Sequence, residues 1–239
     1  MINMRNYFTF DGKKSSDYGV YINGSHVYDA PERDEETIEI PGRNGELTID
    51  NGRYKNQSLA YPAFIIDDFD FNVEGLRNYL MSKRGYFRLE DTYHPQEYRM
   101  AKYTGGLEVE PDASNHLAGS FDLNFSCYPQ RFLKSGERTI EITGASTVYN
   151  PYPNVALPLI RAYGTGSFTI GGVTVQITAA NTYTDIDCDL QEAYKDTLAS
   201  NKNANIKITG DFPSLQPGNN AISLSGITRL IITPRWWII

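Results

Sequence analysis

Apolar and polar residues alternate along much of this chain, and most of its expected elements follow from that period of two. In "ETIEIPG" Ile38 and Ile40 fall on one side and Thr37 and Glu39 on the other, as in a β-strand. "HLAGSFDLNFSCYP" alternates more strongly, with Phe121, Leu123, Phe125 and Cys127 on one face. "VYINGSHVYDAP" alternates in part and stops at Pro31. "SLAYPAFIID" is apolar enough for a buried strand, but Pro62 has no N–H for a ladder and argues for an edge or a bulge. "GYFRLED" and "EYRMAKYTGGLEVEPD" read as further strands. One stretch breaks the rule. Val73, Leu76, Tyr79 and Leu80 form a single apolar face at helical spacing. This predicts a helix over about 73–84, capped by Asn72, with Glu74 in its first turn, Lys83 and Arg84 in its last, and Gly85 as the stop.

Beyond residue 135 the pattern becomes more plainly all-β. "PLIRAYGTGSFTIGGVTVQITA" reads as strand, turn, strand, Gly171–Gly172 hairpin, strand. "TYTDIDCDL", "NANIKITGDFPSL", "NAISLSG" and "TRLIITPRWWII" continue the series, and short strands between turns predict a sandwich. "DLQEAYKDTLASN" suits a helix by composition and a strand with a loop by its flanks. Composition shifts at the same place. Residues 1–135 hold 15 of the 22 Lys and Arg and 21 of the 29 Asp and Glu, with 21 of the 28 Tyr and Phe. The segment between starts charged and ends in prolines, as linkers often do. We therefore expect two domains, 1–135 and 136–239.

The net charge of −7, with no Lys/Arg run longer than two, argues against nucleic acid as a partner. The N-terminal residues show no apolar signal region and no stretch approaches 18 apolar residues, so neither a signal peptide nor a membrane span is expected. Cys127 and Cys188 read as buried thiols of a protein made in a reducing cytoplasm.

"IPGRNGELTIDNGRYKN" (40–56) is the densest candidate site. It lacks the GK[ST] ending and the following helix of a phosphate loop, so its glycines read as turn-makers in a long hairpin or arm. "YGTGSFTIGG" lies between strands and reads the same way. Asp185, Asp187 and Asp189 alternate, but Leu190 and Asp196 stand where a calcium loop needs Gly and Glu, leaving a solvated face or turn. His26, His94 and His116 are too scattered for a metal motif, and no nucleophile signature occurs. Asp67, Asp68 and Asp70 suit a turn or surface as well as any paired-carboxylate chemistry. Accordingly no catalytic residue, metal or cofactor is expected. In "PRWWII" the adjacent Trp236 and Trp237 point to opposite faces of a strand. Core packing, an interface and a sugar platform all remain open for them.

The sequence resembles the distal tail proteins of siphophages and related prophages of Gram-positive bacteria. The stretches that carry the resemblance are "IPGRNGELTIDNGRYKN", "SFDLNFSCYPQRFLKSGE", "NPYPNVALPLIRAYGTGSFTIGG", "YTDIDCDLQEAY", "FPSLQPGNNAISLSG" and "ITPRWW". They occur in the family's order over most of the chain. The resemblance implies a mainly β protein, with an N-terminal β-sandwich-like domain bearing a helix that forms a six-membered ring and a C-terminal galectin-like β-sandwich. It implies a structural, non-enzymatic role in the virion, where the ring joins the tail tube to tail-tip or baseplate host-recognition proteins, with the tape measure protein as a further possible neighbour. The alternative is a carbohydrate-binding module that contacts the host cell wall. A ring repeats one heterologous interface, and Arg43, Glu46, Arg53 and Tyr54 are the residues expected at or near it.

Overall fold

The computed structural model describes residues 5–23, 30–107, 109–112, 115–180 and 182–239. The fold is mainly β, and the chain divides into two compact units, Met1–Arg131 with Ile239, and Phe132–Ile238. The division falls a few residues before the composition boundary.

The first unit contains β1 (Phe8–Phe10), β2 (Lys13–Lys14), β3 (Val20–Ile22), β4 (Arg33–Glu39), β5 (Glu46–Tyr54), β6 (Gln57–Ile65), α1 (Phe69–Ser82), β7 (Phe87–Asp91), β8 (Glu97–Tyr103), β9 (Glu110–Asp112) and β10 (Asn115–Cys127). Its main sheet runs β2-β1-β7-β8-β10-β6-β3, with β9 also on β10. The long alternating strand β10 does what its pattern foretells: Phe121, Leu123, Phe125 and Cys127 are all buried. Phe125 is the hub of an aromatic core, with ring centroids 5.3 Å from Phe10, 5.6 Å from Phe8 and 6.1 Å from Tyr61. Such edge and tilted contacts add to the area each ring buries.

Pro62 is not on an outer strand, since β6 pairs with β10 along its whole length and with β3 at one end. The carbonyl of Pro62 accepts from the backbone N–H of Asn23 at 2.7 Å, just past the end of β3. The missing N–H therefore faces the side where the partner strand has run out, which makes the position a local edge.

The helix starts earlier than its apolar spacing suggests. Asp68 occupies the cap position with left-handed backbone and no side-chain cap bond. Asn72 lies inside the first turn, where its side-chain amide donates to the carbonyl of Asp67 at 2.9 Å. Phe69, Leu76 and Leu80 are the buried helical residues. Lys83 is already extended, so the two basic residues lie beyond the helix.

β11 (Arg131–Leu133) runs through the division between the units. The second unit then holds β12 (Ile140–Ile142), β13 (Ser146–Asn150), β14 (Leu159–Tyr163), β15 (Gly166–Ile170), β16 (Val173–Ile177), β17 (Tyr183–Asp187), β18 (Glu192–Lys195), β19 (Thr197–Asn201), β20 (Ile206–Ile208), β21 (Gly218–Ser225), β22 (Arg229–Thr233) and β23 (Trp237–Ile238). Two antiparallel sheets, β12-β22-β14-β17-β18-β19 and β13-β21-β15-β16-β20, enclose one core. Ile160, Ala162, Ile186, Leu230 and Ile232 come from the first sheet, and Phe168, Ile170, Val175, Ile177 and Ile222 from the second. This is a β-sandwich. "DLQEAYKDTLASN" resolves into β18 and β19 rather than a helix.

Gly166 explains how the chain passes from one sheet to the other between β14 and β15. Its φ is +144°, and a Cβ there would sit 2.3 Å from the carbonyl oxygen of Ser225, so only glycine fits. Among the described residues no helix is long and apolar enough to cross a membrane.

Candidate interaction surface

Among the described residues β4 and β5 pair only with each other, forming a two-stranded sheet apart from the main one. Every residue from 35 to 53 is exposed. The local sequence dictates this hairpin. Alternation sets the two strands, and the chain reverses through "PGRNG", where the N–H of Arg43 donates to the carbonyl of Ile40 at 3.1 Å. Gly42 and Gly45 have φ of +83° and +85°, and nothing lies within 4 Å of an added Cβ at either. They are there for their backbone conformation, as turn-makers.

Register assigns the two faces. Ile38 opposes Leu47 and Glu36 opposes Ile49, so these four share one face. Thr37 opposes Thr48, Glu35 opposes Asp50 and Glu39 opposes Glu46 on the other. One face is thus largely apolar and the other acidic. Ile38, Leu47 and Ile49 are each 44% exposed and Ile40 is 37% exposed. Like charges directly opposite one another destabilise a pair, and a lone two-stranded hairpin is marginal in water. An arm that shows its apolar side to solvent and repels itself on the other has the makeup of a surface completed by a partner.

The four residues singled out from the sequence all belong to this arm. Arg43 is exposed in the turn. Glu46 faces Glu39. The Nε of Arg53 donates to Asp34 at 2.6 Å, and this guanidinium holds the Asp34 carboxyl below the usual carboxylate range. Tyr54 lies under Arg33, whose guanidinium carbon is 5.1 Å from the ring centroid. Arg53 and Tyr54 therefore brace the base of the arm, whereas Arg43 and Glu46 are near its tip. The apolar set Ile38, Leu47 and Ile49 was not among the residues picked for their charge. The alternation of "ETIEIPG" and "ELTID" carries that signal.

The two tryptophans have different surroundings. Trp236 is buried in the sandwich core, 6.3 Å from the ring of Tyr152. Trp237 is half-buried, and its indole N–H donates to the carbonyl of Val155 at 2.9 Å.

The outer face of the first sandwich sheet is polar. Asp185 and Asp187 are both buried, not solvated as the sequence suggests. Arg161 donates to the two oxygens of Asp185 at 2.6 and 3.0 Å, and Arg235 to those of Asp187 at 2.7 and 2.8 Å. Arg161, Asp185, Tyr194 and Asp196 line a pocket of about 280 Å³ beside them. Two of the aromatic rings on this face are already covered. Tyr163 lies under Arg229 at 4.0 Å, and Tyr183 has Arg161 at 4.2 Å and Lys195 at 5.0 Å. They present little free face for a sugar to stack on.

Among the described residues no group of three His, Cys, Asp or Glu side chains is placed to hold a metal. His94 packs its Nδ1 3.1 Å from an oxygen of Asp91. His26 and the side chain of His116 lie outside the described residues. Cys127 and Cys188 are free buried thiols.

No family model matches this sequence, and no curated protein does. A solved structure does match: the crystal structure of the Dit protein of SPP1, described as a paradigm of the hub adsorption apparatus in Gram-positive-infecting phages. The TM-score is 0.71 at 16% identity, over 98% of this chain and 99% of that one. The chain therefore has the fold of the SPP1 Dit protein from end to end.

Proposed function

We propose that this chain is a structural component of a phage tail's adsorption apparatus, one that closes into a six-membered ring and joins the tail tube to the tail-tip or baseplate proteins. The end-to-end likeness to a hub protein supports the general role. The observation that carries the ring is the hairpin β4–β5, an exposed arm whose apolar face is open to solvent. A self-complementary patch would make a dimer, whereas an arm that grips a different patch on the next copy makes a ring or a filament. In this reading the chain performs no chemistry. Arg43, Glu46, Arg53 and Tyr54 lie in or beside the contact through their places on the arm.

Mass photometry of the purified chain should give a species six times the 26.9 kDa chain mass. A single-chain mass at every accessible concentration would contradict the ring. Binding to a cell-wall glycan array by the sandwich unit would instead favour a carbohydrate-binding role.

A further inference from the structure

We propose that the apolar face of the hairpin seats in a groove on the outer face of β6 and β10 of a second copy of this chain. This rests on the ring-forming reading above and names the surface that completes it.

The groove holds about 790 Å³. Pro62 opposes Asp122 and Phe64 opposes Ser120 in the register of β6 and β10, so these four share one face of the sheet. Ala63 and Phe121, between them, point into the core. Ile66, 38% exposed, extends the apolar floor past the end of β6. The groove thus has an apolar base walled by Ser120 and the Asp122 carboxylate, and the base matches a strip made of Ile38, Leu47 and Ile49.

Charge fits as well. Beside the groove Tyr21 opposes Phe64 on β3, with ring centroids 5.9 Å apart, and the guanidinium carbon of Arg5 lies 5.0 Å from the Tyr21 ring. Glu36 is the carboxylate opposite Ile49 on the hairpin's apolar face. Neither Arg5 nor Glu36 has an ion-pair partner among the described residues. A copy seated with its apolar strip over Phe64 brings the Glu36 carboxylate toward the Arg5 guanidinium.

Placement then favours a neighbour over the same chain. The hairpin joins β6 at its Gln57 end, while the groove lies at its Pro62–Ile65 end. At ~3.4 Å per residue, nine residues separate the ends by about 27 Å. Donor and acceptor are different patches at opposite ends of one strand, which is the arrangement of a heterologous interface.

Cross-linking tests the contact directly. Leu47→Cys and Phe64→Cys would be made as separate chains and mixed. The native thiols do not compete: both are buried, and burial pushes Cys127 up to about 11 and Cys188 up to about 12. Under mild oxidation the mixture should give at least ten-fold more disulfide dimer than either variant alone. The doubly substituted chain should give a ladder of higher species. Ile49→Cys with Ser120→Cys provides a second pair that leaves Phe64 in place. Arg5→Glu should weaken assembly, and adding Glu36→Arg should restore it. If the wild type has ring mass but neither mixture cross-links above its single variants, the groove assignment fails and the ring stands. If the wild type stays single while the mixture cross-links, the contact stands and the ring fails. A single-mass wild type with no cross-link overturns both.

Discussion

In the proposed ring, Ile38→Thr with Leu47→Thr should break the contact between copies and leave each chain folded. The two residues oppose each other on the hairpin and belong to neither buried core. Threonine keeps the strand preference and copies the Thr37–Thr48 pair on the other face, so folding should change little, as for most exposed substitutions. Assembly should change a great deal. Fully burying a side chain of this size from full exposure is worth about 1.5–3 kcal/mol; at 44% exposure less than half of that is left to gain, so two lost from one contact amount to about 1–3 kcal/mol. That corresponds to roughly 10- to 100-fold weaker association per interface. A closed ring repeats the loss at every contact. Circular dichroism should match the wild type, while mass photometry at the same concentration should show single chains. A ring that persists undiminished would show that the hairpin's apolar face is not what holds it.

Arg235→Met should strongly destabilise the sandwich unit. Asp187 is buried, with side-chain exposure of 4%, and both its oxygens accept from Arg235. Removing one member of a buried pair leaves the other charge without its partner, typically at a cost of about 3–5 kcal/mol. Arg235 itself is partly exposed, so the lower end, about 3 kcal/mol, is expected. Replacing both residues, with Asp187→Leu added, should recover only part of the loss: matched apolar groups often substitute for a buried pair, but the backbone N–H groups of Asp189 and Leu190 lose Asp187 as their acceptor. The effect has a defined pH dependence. Burial pushes the Asp187 carboxyl up, but the hydrogen bonds and charge of Arg235 outweigh it and hold the group below its ordinary value. A carboxylate depressed in the folded state stabilises the fold above its unfolded pKa of about 3.9 and loses that contribution as pH falls through the folded value. The gap between wild type and Arg235→Met should therefore be full at pH 7 and narrow below about pH 4. A variant that melts with the wild type at pH 7 would remove the ion pair from the account.

The elements most legible in the sequence are those whose pattern and packing agree. β10 alternates and lies on a core, so Phe121 to Cys127 read correctly. Gly171 and Gly172, with φ of +57° and +90°, close the tight hairpin that their pairing suggests. The helix was legible in kind but not at its start, because the first turn, from Phe69, lies ahead of the apolar face that begins at Val73, and Asp68 caps it from a left-handed backbone without a side-chain bond. Asp185 and Asp187 misled for another reason. Their cover comes from Arg161 and Arg235, which are 24 and 48 residues away along the chain. Pairing at such separation leaves no local trace, and an alternating acidic run looks solvated without it. On the hairpin, charge and an aromatic ring point to Arg43, Glu46, Arg53 and Tyr54. Alternation had already placed Ile38 and Ile40 together, but a period of two cannot say whether the apolar side meets a core or open water.

The acidic side of the arm also bears on how fast copies meet. Glu35, Glu39, Glu46 and Asp50 share that face on a chain of net charge −7, so two free chains approaching arm-first repel before their apolar strips touch. At low salt this repulsion reaches tens of ångströms, and at physiological ionic strength only about 8 Å. In the proposed assembly this repulsion slows contact through the arm, and the rate of ring closure should rise with added salt until the acidic faces no longer sense one another.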